Sequence, residues 1–276
     1  MTQPHAKVIG WPIGHSRSPI IHRHWLGMHD IEGDYSAQDV APEDLAGFVR
    51  TVGVDGLRGC NVTIPHKVAV MALADHVTPV ARAIGAANTL WFADGALHAT
   101  NTDVSGYMAH LSASAPELDL RDAHVLVFGA GGAARAIIYG LLRAGVRQIV
   151  VANRTRENVE KLQRDFGPQI SHADDVEHAL LQADLVVNTT SLGMVGQPAL
   201  SCDVSLLKDT AVVSDIVYAP LETPMLSDAR RRGLTTVDGL GMLLHQAVEG
   251  FALWFGVTPV VDATLRDKVV ASLSQR

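Results

Sequence analysis

Val125-Leu126-Val127-Phe128-Gly129-Ala130-Gly131-Gly132-Ala133-Ala134-Arg135-Ala136-Ile137-Ile138-Tyr139-Gly140-Leu141-Leu142 is the stretch that decides how this chain folds. Four apolar residues of strand type run into a glycine-rich turn. The residues after the turn carry apolar side chains at helical spacing. Strand, turn and helix in this order form the G-x-G-x-x-A version of the dinucleotide fingerprint. Gly129 permits the tight turn, Gly131 lacks the Cβ that would block a pyrophosphate, and Ala134 lets the helix approach the sheet. The helix N-terminus offers unpaired N–H groups to phosphate oxygens. The turn Gly129, Ala130, Gly131, Gly132 and Ala133 is therefore a candidate cofactor site.

The next strand-like run, Arg147–Ala152, ends in Asn153-Arg154-Thr155-Arg156. An NAD site wants a carboxylate at that tip for the ribose 2′-hydroxyl. This chain has none there and carries two guanidinium groups, which suit a 2′-phosphate. The expected cofactor is NADP, its 2′-phosphate at this tip.

Strand and helix signals alternate from the fingerprint onward. Strands are expected at 125–128, 147–152, 184–188, 211–216 and 234–237, and helices at 132–144, 155–166, 174–182 and 223–232. That pattern makes a doubly wound parallel sheet, a Rossmann domain. A second α/β unit precedes it. Strands are expected at Lys7–Gly10, Asp34–Val40 and Leu57–Val62, and Asp94-Gly95 marks a hairpin between Asn88–Ala93 and Ala96–Ala99. Pro19–Met28 reads as a helix capped by Ser18, and Pro42–Val52 and His66–Ala74 read as further helices. The fold expectation is an N-terminal α/β substrate domain, residues 1–103, plus a Rossmann NADP-binding domain, residues 104–239. The C-terminal helices, Gly239 to about Phe255 and Ala263–Ser274, are expected to return residues 240–276 to the first domain.

A chain of 276 residues with 47% apolar and 18% charged residues can build one or two sizeable cores. Its net charge of −7 argues against a nucleic-acid binder. The start of the chain lacks an apolar signal core, and no apolar run is long enough for a membrane span, so a cytoplasmic protein is expected. Two cysteines, Cys60 and Cys202, cannot supply a disulfide framework. The 13 histidines show no metal-ligand spacing, and His22 and His24 would point about 200° apart on a helix. No metal is expected.

Polar residues gather at the predicted strand ends. Ser16 and Ser18 flank a helix start, where two hydroxyls and the helix dipole can hold a carboxylate. Asn61, Thr63 and Lys67 follow the third strand. Lys67 falls on a predicted first helical turn, where a cation is disfavoured unless it serves an anion or a proton. Asn88, Asn101 and Asp103 lie at other junctions, Tyr218 follows the strand at 211–216, and Gly239, Met242 and Gln246 follow the last Rossmann strand. Hydroxyls, amides, one amine and one carboxylate suit a small polyhydroxylated acid.

With these motifs in order, the chain resembles the shikimate dehydrogenase family. The resemblance rests on H-S-x-S-P at His15–Pro19, N-V-T-x-P-x-K at Asn61–Lys67, A-x-N-T at Ala86–Thr89, N-T-D at Asn101–Asp103, G-A-G-G-A at Gly129–Ala133, N-R-T at Asn153–Thr155, and D-G-x-G-M-L with H-Q-A at Asp238–Ala247. It spans nearly the whole chain. It implies an oxidoreductase that reversibly reduces 3-dehydroshikimate to shikimate with NADPH, a step of aromatic amino acid biosynthesis. The alternative is a quinate/shikimate dehydrogenase with broader substrate or cofactor use.

The resemblance also implies roles. Ser16 and Ser18 hold the substrate carboxylate; Thr63, Asn88 and Gln246 bind ring hydroxyls; Tyr218 stands on the substrate side. Lys67 and Asp103 are the catalytic pair, and Gly239 and Met242 face the nicotinamide. Departures from the commonest family pattern are Arg23, His66 and the run Val104-Ser105-Gly106-Tyr107. The implied partner is a small-molecule substrate, with no nucleic acid and no membrane, and the implied assembly is a monomer or homodimer. Glutamyl-tRNA reductase, which shares the Rossmann turn and the N-R-T tip, is disfavoured because Cys60 is the sole early cysteine and no long dimerising tail follows.

Overall fold

The computed structural model describes residues 3–14 and 16–273. The chain divides into two compact units. One runs through Thr102 and takes up the chain again from Leu244; the other is Asp103–Leu243.

The first unit is built on a six-stranded mixed sheet. Its strands are β1 (His5–Gly10), β2 (Asp34–Asp39), β3 (Leu57–Val62), β4 (His76–Val77), β5 (Thr89–Ala93) and β6 (Ala96–Thr100), in the order β2-β1-β3-β5-β6-β4. β1 pairs in parallel with β2 and β3, whereas β5 runs antiparallel to both β3 and β6. The β5–β6 hairpin turns at Asp94 and Gly95, both with positive φ, as a two-residue hairpin loop with the native twist requires. One face of the sheet buries Ile9, Cys60, Val62, Leu90 and Ala99 among other apolar residues. Trp25 and Phe251 meet in another buried group, ring centroids 5.5 Å apart. They bring the helix Ser18–Met28 together with the C-terminal part of the helix Gly239–Phe255.

The second unit is a doubly wound sheet of six parallel strands. They are β7 (His124–Phe128), β8 (Gln148–Ala152), β9 (Ile170–His172), β10 (Leu185–Asn188), β11 (Val212–Asp215) and β12 (Thr235–Val237), in the order β12-β11-β10-β7-β8-β9. Side chains alternate across it. Val125 and Val127 of β7 join one core with Ile137, Ile138 and Leu141, and Leu126 and Phe128 join the opposite core with Leu180, Met225 and Leu226. A sheet buried on both faces needs such apolar runs, and each fully buried aliphatic side chain stabilises by about 1.5–3 kcal/mol. The chain reverses its winding between the neighbouring strands β7 and β10. In this topology a dinucleotide lies across the carboxyl ends of the strands at that point.

Three sequence expectations give way. His66–Ala74 is not an α-helix: a turn carries Pro65 to Val68, and a 3-10 helix covers Ala69–Leu73. The carbonyl of Lys67 accepts the Ala87 N–H at 2.8 Å, while the Met71 N–H goes to the Val68 carbonyl at 3.3 Å, so the α-helical ladder is not continued past Lys67. Ser18 is not the helix cap but its first residue. Arg17 precedes it, and the Arg17 carbonyl is the first acceptor, taking the N–H groups of Ile20 and Ile21 at 3.0 and 3.4 Å. Pro42–Val52 breaks into a 3-10 turn, Pro42–Asp44, and a short α-helix, Leu45–Val49. Ser274, where the last helix is expected to end, lies outside the described residues, as does His15.

Candidate active site

In the second unit the strand β7 hands over to the glycine turn. Gly129 has φ +103°, and a Cβ there would come within 2.6 Å of Thr189 Oγ1. Glycine is thus required both by the backbone angle and by the close approach of the β10 end. Thr189 donates from both its backbone N and its hydroxyl to the Phe128 carbonyl, at 2.9 and 2.6 Å. Gly131 is extended and precedes the 12-residue helix Gly132–Arg143 with no side chain capping it. A Cβ on Gly131 or Gly132 would meet nothing within 4 Å, so the helix N-terminus faces open space. Ala130 packs against the core, and Ala133 is half-buried.

The tip of β8 separates two arginines that the sequence groups together. Arg154 is exposed and has no hydrogen bond or ion pair with any described residue. Arg156 is spoken for: it reaches Asp174 at 2.9 Å and Glu160 at 3.7 Å. A hydrogen bond from His172, and then the Arg156 charge, hold the Asp174 carboxyl below its usual range. Asn153 donates to the Thr155 carbonyl at 2.8 Å, which shapes the tip and presents Arg154 outward.

Tyr218 and Met242 are half-buried, and Met242 packs on the core, as Ile216 does. Gly239 is buried, and a Cβ there would overlap the Ile216 carbonyl. Asp103 is the first residue of the helix Asp103–Ser114, where the dipole favours a carboxylate.

The first unit supplies a different lining. Ser16 is half-buried, and its Oγ accepts the Ser18 N–H at 3.3 Å; Ser18 is buried. Thr63 donates its N–H to the Ile9 carbonyl, and its own carbonyl accepts from His66 N, at 3.0 and 2.9 Å. Lys67 is half-buried in the turn that follows. The buried ring of His66 contacts the Val40 carbonyl through Nε2 at 2.8 Å and pins that turn to the end of β2.

Asn88 is the hub of a buried polar network. Its Oδ1 accepts the Thr102 N–H at 2.8 Å and the Thr89 hydroxyl at 3.0 Å. Its Nδ2 donates to Thr102 Oγ1 at 3.1 Å and reaches Gln246 Oε1 at 3.5 Å. Tyr35 donates to Asn61 Oδ1 at 2.6 Å, and Asn61 donates to Thr89 Oγ1 at 3.2 Å. The fold therefore assembles Asn88 and Gln246, 158 positions apart, on one polar surface. Tyr35 was not singled out from sequence. An alternating Asp34–Asp39 strand gives no sign that its one aromatic residue will meet a buried amide.

Sequence reading also missed the ends of β10 and β11. Asp215 is 1% exposed. Its carboxylate accepts from Asn188 Nδ2 at 3.0 Å, Val217 N at 2.9 Å and the Thr223 hydroxyl at 2.8 Å. Burial pushes its pKa above the ordinary value, and these three hydrogen bonds pull against that rise. Among the described residues, no group of three or more His, Cys, Asp or Glu side chains could hold a metal ion. No helix among them is long and apolar enough to cross a membrane.

Known proteins share this fold. Residues 8–90 match the family described as Shikimate dehydrogenase substrate binding domain, residues 111–195 match Shikimate / quinate 5-dehydrogenase, and residues 239–266 match Shikimate 5'-dehydrogenase C-terminal domain. The shikimate dehydrogenase (NADP(+)) of Azorhizobium caulinodans is 53% identical over 272 residues, covering 98% of this chain and 96% of that protein. The chain belongs to the shikimate dehydrogenase family. A shikimate 5-dehydrogenase of Thermus thermophilus, solved in complex with NADP(H) and shikimate, is 34% identical with a TM-score of 0.87, covering 98% of this chain and 100% of that one. A quinate dehydrogenase of Corynebacterium glutamicum, solved with NAD, is 32% identical with a TM-score of 0.88, covering 98% of this chain and 99% of that one. The shikimate dehydrogenase fold thus serves both cofactors, and the β8 tip is where sequence can tell them apart.

Proposed function

We propose that this chain is an NADP-dependent shikimate dehydrogenase that interconverts 3-dehydroshikimate and shikimate. The observation that carries this reading is the 53% identity, over 98% of the chain, to a shikimate dehydrogenase (NADP(+)). The residues present fit the cofactor. Gly131 and Gly132 leave the space a pyrophosphate needs beside a helix N-terminus, and Arg154 has no protein partner competing for it among the described residues. Gly129 to Ala133 would hold the pyrophosphate, Asn153, Arg154 and Thr155 the phosphorylated adenosine, and Gly239 and Met242 would lie on the nicotinamide side.

When bound, NADPH supplies the hydride. The protein supplies binding, orientation and the proton. We read Ser16 and Ser18 as the carboxylate site, and Thr63, Asn88, Gln246 and Tyr218 as groups that grip the ring and its hydroxyls. The buried network around Asn88 fixes its amide before substrate arrives, so little ordering remains to be done on binding. We read Lys67 and Asp103 as the pair that manages the proton of the reacting hydroxyl, with Lys67 the better donor because carboxylates are ionised near neutral pH. We assign residues 1–103 with 240–276 to substrate and 104–239 to the cofactor, and place the enzyme in the cytoplasm.

The NAD-linked quinate reading is not favoured, since the β8 tip offers arginine where NAD calls for a carboxylate. The test is an absorbance assay of reduced nicotinamide with shikimate and quinate, each offered NADP+ and NAD+. Turnover should be most efficient for shikimate with NADP+. Equal efficiency with quinate, or a preference for NAD+, would overturn the assignment.

A further inference from the structure

We propose that Asp215 is a positioning residue for the nicotinamide half of the cofactor, acting by locking together the loops that follow β10 and β11. The inference rests on the NADP reading above. In a doubly wound sheet the half with the glycine turn, β7 to β9, takes the adenosine end. The other half, β10 to β12, takes the second nucleotide. Asp215 ends β11 and Asn188 ends β10, side by side in register. The two lie at the carboxyl edge of the nicotinamide half.

Every contact of the Asp215 carboxylate sets a loop. Val217 N ties the carboxylate to the segment leading to Tyr218. The Thr223 hydroxyl donates to it at 2.8 Å and itself caps the helix Pro224–Arg231, accepting the Leu226 N–H. Asn188 Nδ2 donates both to Asp215 and to the Leu192 carbonyl, at 3.0 Å each, while its Oδ1 accepts Thr190 N and Oγ1. One buried carboxylate thereby fixes the paths of residues 189–192 and 216–223. Buried charge is unfavourable unless fully bonded, and replacing this one by an apolar side chain would strand three donors.

The test uses the full-length chain. Asp215→Asn keeps the shape but offers only one acceptor oxygen to three donors. It should raise the NADP+ KM and Kd about fivefold or more while moving the shikimate KM less than about twofold, the size of one or two disturbed hydrogen bonds. The kinetic isotope effect with NADPH deuterated at the transferring carbon should increase, because hydride transfer becomes the slower step. Binding of 2′,5′-ADP, which occupies only the adenosine end, should not change. Thr223→Val should repeat the pattern and Thr223→Ser should restore it. A parallel loss of 2′,5′-ADP affinity would mean a general disturbance of the domain and would overturn the positioning role. Unchanged NADP+ KM and isotope effect would overturn it too. Wild-type protein that binds neither NADP+ nor 2′,5′-ADP would instead remove the cofactor reading, and this inference with it.

Discussion

His22 lies flat against Tyr35, with ring centroids 4.0 Å apart and planes 13° from parallel. Both side chains are fully buried. Neither His22 nitrogen has a hydrogen-bond partner of good geometry among the described residues, and the pull of Asn61 toward the charged form is smaller than the effect of burial. Burial pushes the imidazole from its ordinary 6.5 down to about 3.

Acid sensitivity follows. The unfolded chain takes up a proton below pH 6.5 that the folded chain refuses until about pH 3. The stability from neutral His22 is fully present above pH 6.5 and is lost across that window as pH falls. At pH 5 the loss should be roughly 2 kcal/mol, at about 1.4 kcal/mol per pH unit. His22→Phe keeps a stacked ring and removes the titration. Urea unfolding of both proteins at pH 7.5 and pH 5 should therefore show a shallower pH dependence in the variant. Parallel pH dependence would assign the acid sensitivity to another group.

The two arginines at the β8 tip should behave differently. Arg154→Ala should raise the NADP+ KM by about 10- to 100-fold and leave the NAD+ KM nearly unchanged, the loss expected for charge-assisted phosphate contacts. Arg156→Ala should have a much smaller effect on NADP+, because Arg156 already serves Asp174 and Glu160. If Arg156→Ala is the more damaging change, the phosphate is held elsewhere on the tip.

The serines should act on substrate alone. Ser16→Ala combined with Ser18→Ala should raise the KM for shikimate and leave the KM for NADP+ nearly constant. Steady-state kinetics with each ligand varied in turn decides it, and an equal rise in both constants would argue for a cofactor role or a folding defect.

Lys67 and Asp103 should fail together. Lys67→Ala should lower kcat by roughly 10²- to 10⁴-fold, the span of a positioned acid or base, with little change in substrate KM. Asp103→Asn should also lower kcat. The double variant should be scarcely worse than Lys67→Ala, since residues that act as a unit are not additive. Additive losses would mean two separate roles.

The parallel sheet was legible because its strands are short runs of β-branched residues bounded by turn residues, from Val125 to Val237. β9 escaped notice: of its three residues only Ile170 is buried, too little to show a period. The helix Pro79–Ile84 was signalled and overlooked, with Thr78 as cap, Pro79 behind it and Gly85 closing it at positive φ. The turn at Lys67 was not legible, because the Lys67 carbonyl bonds to Ala87, far along the chain. The motifs named Asn88 and Gln246 singly. Their meeting, like that of Asn188, Asp215 and Thr223, depends on pairings between distant strands and helices that no local pattern encodes.

The division of the chain has a consequence for the order of its birth. A ribosome releases Asp103–Leu243 whole, before the segment from Leu244 that completes the other unit. The nascent first unit must wait with part of its lining missing. Trp25 Nε1 has yet to find the Val260 carbonyl, and the Leu90 carbonyl has yet to meet Trp254 Nε1. Gln246 is the last polar group to reach the Asn88 network. The unit Asp103–Leu243 can thus mature on the emerging chain, while the other closes only after the segment from Leu244 has followed it out. On the functional reading proposed above, products truncated before Leu244 would be expected to bind nucleotide and fail to bind substrate.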